Sequence, residues 1–183
     1  MSSALFEALE QSIRERNPVL AQRLRRGRSE SFLRRRLAKE GASGCVEPVV
    51  VLFSWKDGSN LDISVPVEQV SPFPGSGYFM FMPFTFILGH FESFKVDAKY
   101  HENMKQVAGR YFPLFWNGSK GISDWLAVDL EPSNNSRVVL IDSHADEPVL
   151  QAYSSFDEFI TDAIRANREN DSLNWRVTSS RSV

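Results

Sequence analysis

The chain has 183 residues, 42% of them hydrophobic and 24% charged, with 14 phenylalanines. That length and composition predict one domain able to bury its own core and exclude disorder over the whole chain. The 21 basic and 23 acidic side chains leave a formal charge of -2, which points neither to a nucleic-acid binder nor to an unusually acidic protein. The charge is unevenly spread, because residues 1–40 hold ten basic and five acidic side chains, so a basic head precedes an acidic body. A single cysteine, Cys45, excludes an intrachain disulfide, and the N-terminus has no secretory pattern. The longest apolar stretch, Tyr78 to Leu88, is interrupted by Pro83 and too short to cross a bilayer. The expectation is a cytoplasmic protein with no membrane association.

Leu5, Leu9 and Ile13 recur every four residues and predict a first amphipathic helix. Asn17 before Pro18 is a helix-start signal, and Gly27 suits a left-handed stop, so a second helix is expected from about Pro18 to Arg26. A third is expected from Ser29 to Gly41, with Leu33 and Leu37 facing inward. The segment Pro48 to Trp55 is open between strand and helix. Val49, Val50 and Val51 favour a strand, whereas Pro48 and the spacing of Val51, Leu52 and Trp55 favour a helix. Leu61, Ile63, Val65 and Val67 alternate as a half-buried strand, and Ser71 to Gly77 is a loop.

Seven phenylalanines lie between Phe73 and Phe94. A strand is expected near Phe79 to Met82, then a helix from about Phe84 to Val107 whose inner face holds Phe84, Ile87, Leu88, Phe91, Phe94 and Ala98. Phe86 falls off that face. Short strands follow at Tyr111 to Phe115, Trp125 to Leu130, Arg137 to Ile141 and Val149 to Ala152, and their brief connections predict an antiparallel meander. Ser155 and Glu158 form a capping box for a closing helix, and the polar run from Asn170 predicts a loose tail that Trp175 could pin. The expected fold is α+β: a largely antiparallel meander flanked by N-terminal helices, a central helix and a C-terminal helix.

Three stretches carry a resemblance. The first is Ser29 to Gly58, a leucine-bearing helix followed by Leu52, Phe53, Ser54, Trp55, Lys56, Asp57 and Gly58. The second is Tyr111 to Phe115 followed by Asp124 to Leu130, a Phe-Pro strand and then a strand ending in Asp-Leu. The third is Ser155, Phe156, Asp157, Glu158, Phe159 and Ile160. In this order and spacing the chain resembles the SUKH superfamily from about Ser29 to Asn170. It departs between Pro83 and His90, where family members carry a polar, Glu-rich helix start and this chain has Phe84, Phe86, Ile87 and Leu88. The resemblance implies residues 1–28 as a helical extension, 29–170 as the α+β domain and 171–183 as a flexible tail. It also implies a binding role: an interaction module or, among bacterial members, an immunity protein that neutralises a toxin by direct contact.

Chemistry-bearing motifs are sparse. Cys45 has no nucleophile signature, the three histidines lack zinc spacing, and Gly75 to Gly77 carry no phosphate-loop lysine, so no catalytic residue, metal or cofactor is expected. Asp124, Asp129, Asp142 and Asp146 lie at strand ends, where turn-forming and solubilising roles are the default. Arg23, Arg25, Arg26, Arg28, Arg34, Arg35 and Arg36 are the feature that would fit nucleic acid. Their place on polar helix faces with few interleaved aromatics disfavours it. The expected partner is a protein, such as a basic nuclease-type toxin domain. An acidic sheet side containing Asp57, Asp124 and Asp129 would meet it, with Trp116 and Phe86 as aromatic anchors.

Overall fold

The computed structural model describes residues 3–60, 71–74, 79–117 and 124–174. The strand expected at Leu61 to Val67 lies outside them, as does the tail beyond Asn174. The described residues form six α-helices and two antiparallel sheets, an α+β fold. Helices α1 (Ser3–Arg16), α2 (Pro18–Arg23), α3 (Glu30–Lys39) and α4 (Glu47–Trp55) come first. Among them, β1 (Leu24–Arg26) pairs with β2 (Lys56–Ser59) as a two-stranded sheet. The second sheet is a meander in the order β3 (Phe79–Met80), β4 (Tyr111–Asn117), β5 (Asp124–Asp129), β6 (Val138–Asp142) and β7 (Val149–Tyr153). Helix α5 (Phe84–Asp97) precedes β4, and α6 (Phe156–Glu169) closes the fold.

Local signals explain most boundaries. Asn17 accepts from the Leu20 amide at 3.0 Å, and Pro18 opens α2. That helix stops at Arg23, three residues earlier than a stop at Gly27 predicts, because Leu24 to Arg26 straighten to pair with β2. Gly27 accordingly makes no left-handed stop. A Cβ there would stand 1.7 Å from the Ser54 carbonyl oxygen, so the residue is small because two backbone segments meet at it. The ambiguity at Pro48 to Trp55 resolves as helix: Val49, Val50, Leu52 and Phe53 are all buried, a continuous apolar surface with no strand-like alternation.

Helix α5 ends at Asp97, well short of the expected Val107. Its apolar stripe runs out at Ala98, and the Asp97 carbonyl takes both the Tyr100 and His101 amides. A 3-10 turn at Glu102–Gln106 then buries Met104 and leads to buried Val107, a three-residue spacing that suits a tighter turn. In α6, the Ser155 hydroxyl accepts from the Glu158 amide at 3.1 Å. The Glu158 carboxylate accepts from the Ser154 amide and hydroxyl, so the reciprocal half of the capping box is displaced by one residue.

Helices α5 and α6 cover opposite faces of the meander. Phe91 and Phe94 of α5 pack on Phe112 and Trp125, with ring centroids 5.0 and 5.9 Å apart. On the other face, Phe159 of α6 meets Phe73, Phe115 and Tyr153. Alternation along β4 and β5 separates these sets. The first 28 residues belong to the same core: Phe6, Leu9 and Ile13 are buried, and Phe6 touches Trp55 and Phe156.

Candidate functional site

The five expected contact residues fall into three environments. Asp57 is only 1% exposed. Its Oδ2 lies 2.8 Å from Arg28 Nε and 3.3 Å from an Arg25 guanidinium nitrogen, and its Oδ1 accepts the Phe84 amide at 3.0 Å. Asp57 therefore caps α5 and anchors β1, and it offers no charge to a partner. Asp129 is fully buried and equally engaged. Arg110 donates to both of its oxygens at 3.2 and 3.1 Å, Arg137 Nε donates at 2.8 Å, and Asn134 and the Glu131 amide complete the set. Burial pushes this carboxyl's pKa up. The hydrogen bonds from Arg110, Glu131 and Asn134 together outweigh burial and hold it below the usual value. Both aspartates are thus corrected from surface acids to internal clamps: polar groups removed from water are kept only where donors satisfy them.

Asp124 is different. It opens β5 directly opposite Asp142 on β6 and Asn117 on β4. Burial, and then the facing Asp142 carboxylate, raise its pKa, while Asn117 and His144 oppose the shift. Asp142 accepts the His144 amide at 2.9 Å, in a turn that also carries exposed Asp146 and Glu147. Among the described residues, no ion pair engages Asp124, Asp142, Asp146 or Glu147. Counting the described residues, this end of the sheet is net acidic.

Trp116 and Phe86 come together as partly buried neighbours, their ring centroids 5.6 Å apart. Trp116 sits across from Trp125 in the β4–β5 register, and Phe86 lies one helical turn before His90. The His90 ring completes the group, 4.6 Å from Phe86, 6.4 Å from Trp116 and 4.4 Å from Trp125. Burial lowers its pKa, and Asp97 partly offsets that shift. Sequence reasoning missed His90 as a member of this face, although its four-residue step from Phe86 was a legible signal. It also missed the contribution of Asp142, Asp146 and Glu147 to a single charged end, which required the strand register.

The arginine run is largely committed within the chain. Arg25 and Arg28 hold Asp57, Arg34 reaches Glu47 at 2.7 Å, and Arg36 pairs with Glu40 at 3.3 Å. Two small cavities, about 260 and 420 Å³, are described. The first is lined by Glu47, Pro48, Asn135, Ser136 and the start of α6, the second by Gly44, Gly109, Arg110 and Pro132, and neither reaches Asp124 or a histidine. Cys45 Sγ lies 3.0 Å from Ser136 Oγ. No cluster of three or more potential metal ligands occurs among the described residues, and no described helix is long and apolar enough to cross a membrane. The arrangement is suited to contact: an acidic strand end without an ion pair among the described residues, and an aromatic face on the α5 side of the sheet. No protein-family model matches the sequence, and no curated protein matches it.

Proposed function

We propose that this protein is a non-enzymatic protein-binding module that docks a basic partner through the Asp124 end of its sheet. The observation that carries the reading is the set Asp124, Asp142, Asp146 and Glu147, which makes no ion pair among the described residues and has only His144 as a partial counterweight, in a chain whose Asp129, at the other end of β5, is fully paired. Facing carboxylates cost folding free energy, and a cationic partner would relieve that cost while the acidic field speeds its approach. The resemblance to the SUKH superfamily narrows the role to an immunity protein that neutralises a nuclease-type toxin, whose phosphate-attracting groove would present the required positive surface. Its site of action would be the cytoplasm.

The test begins with co-purification from the native cell and identification of the bound protein by mass spectrometry. Binding is then measured with purified components as a function of salt. The association rate should fall with rising ionic strength, and Asp124→Lys should lower it by about tenfold at low salt with a smaller change in dissociation. A salt-insensitive association rate, or an Asp124→Lys variant indistinguishable from the parent, would sink this reading.

A further inference from the structure

Helix α5 carries one histidine, His90, and packs it among aromatic rings of three elements. Its imidazole lies 4.4 Å from Trp125 on β5, 4.6 Å from Phe86 one turn back on α5, and 6.4 Å from Trp116 on β4. Trp116 and Trp125 stack at 6.0 Å, and Phe94 meets Trp125 edge-on at 5.9 Å. The imidazole is therefore part of the seam that joins this stretch of α5 to the sheet. The other two histidines, His101 and His144, are exposed.

Among the described residues, the strands packed on His90 meet it with rings that do not titrate. β4 presents Trp116 and β5 presents Trp125, while Asp124, the chain neighbour of Trp125, turns to the opposite face of the sheet. On α5, Glu92 pairs with Lys95 at 2.8 Å, and Asp97 favours the charged imidazole from two turns further on. Rings at these distances displace water, and an imidazole deprived of water resists protonation. Burial accordingly lowers the His90 pKa by more than Asp97 raises it.

The helix is also weakened at this place. Gly89, exposed in its interior, disfavours helix relative to alanine, and a Cβ there would meet nothing within 4 Å, so packing does not demand the glycine. Ser93 turns its hydroxyl back to the His90 carbonyl at 2.9 Å, a bond that competes with the helical ladder.

We infer that His90 makes the seam between α5 and the sheet pH-sensitive: a neutral imidazole closes the cluster with Phe86, Trp116 and Trp125, and a proton on it loosens that cluster. The charged ring gains more from water than from the rings, so acidification favours states in which the His90 turn lifts from Trp116 and Trp125. The stability contributed here is present above the unfolded histidine value and is lost as the pH falls through it to the lower folded value. Asp57 holds the Phe84 amide at 3.0 Å and keeps the first turn of α5 in place, so the opening is local. This property does not depend on whether the Asp124 end docks a partner.

The experiment follows the three histidine rings and the tryptophan indole N–H signals of the full-length protein by NMR from about pH 8 to 5. His90 should titrate below His101 and His144. The Trp116 and Trp125 signals should move with the His90 midpoint, while that of Trp55, whose indole donates to Glu10 at 3.2 Å, stays fixed. Amide exchange over residues 86–93, corrected for its intrinsic pH dependence, should rise about tenfold on acidification, the change that a midpoint lying about one pH unit low produces. His90→Phe keeps a ring in the cluster and should abolish both responses, and the titration of the parent protein tests the inference even where that variant packs poorly. A His90 midpoint level with the exposed histidines would mean a solvated ring, and one above them an imidazolium held by the rings; either result overturns the inference. A low midpoint with no movement at Trp116 and Trp125, or with no faster exchange, would overturn it as well.

Discussion

Strand β5 begins and ends with an aspartate, and the two ends of the sheet treat the same side chain in opposite ways. At Asp129, the turns before β4 and β6 deliver Arg110, Asn134 and Arg137, and every carboxylate oxygen is occupied. At Asp124, the adjoining strands deliver Asn117 and another aspartate. The first end is closed on itself and holds the sheet together. The second makes no ion pair among the described residues, and that difference is what the proposed docking surface rests on.

The largest expected effect breaks the closed end. Asp129→Ala leaves Arg110 and Arg137 facing each other without their shared anion and should lower unfolding free energy by about 3 kcal/mol in urea titration. A loss below about 1 kcal/mol would mean that solvent replaces the carboxylate and that this end is no clamp. Asp57→Ala should cost about 2 kcal/mol, since it removes the α5 cap and the partner of Arg25 and Arg28 together. The open end should respond with the other sign: Asp124→Asn removes the facing charge and should stabilise by about 0.5 kcal/mol at neutral pH. Asp142→Lys should do the same by placing a cation opposite Asp124, at the expense of partner binding.

The pH dependence sharpens the contrast. Asp129 has a folded-state pKa below its unfolded value, so its contribution is present above the ordinary carboxylate range and is lost as the pH falls through the lowered value. Asp124 has a raised folded-state pKa. Its charge therefore costs stability at neutral pH, and the cost disappears as the pH falls through the raised value to below the unfolded one. Urea titrations from pH 7 to 3 should show the Asp124→Asn advantage and the Asp129→Asn deficit both shrinking toward acid. An Asp124→Asn advantage that persists at pH 3 would place its origin elsewhere than in charge.

Periodicity and cap chemistry were enough to read the meander and the closing helix, because alternating apolar residues between short turns leave antiparallel neighbours as the natural pairing. The α5 boundary was not legible: its inner stripe and the later Met104 and Val107 share a helical rhythm that only the change to a tighter turn distinguishes. At the site, Phe86 stood out as an aromatic off the main helical face and Trp116 as one next to a turn, and they do meet. Asp57 and Asp129 were misread because a carboxylate beside a turn looks alike in sequence whether an arginine 29 or 8 positions away folds over it or not.

Local spacing and composition alone determined the order of the meander strands, the closing helix and the separation of a basic head from an acidic body, whereas they left the helix at Pro48 to Trp55 open and did not reveal the β1–β2 pair. Tertiary structure alone decided which charges survive at the surface. Charge cancellation depends on distances between residues far apart in the chain, and the strand register that brings Asp142 to Asp124 and Arg137 to Asp129 is a property of the assembled sheet.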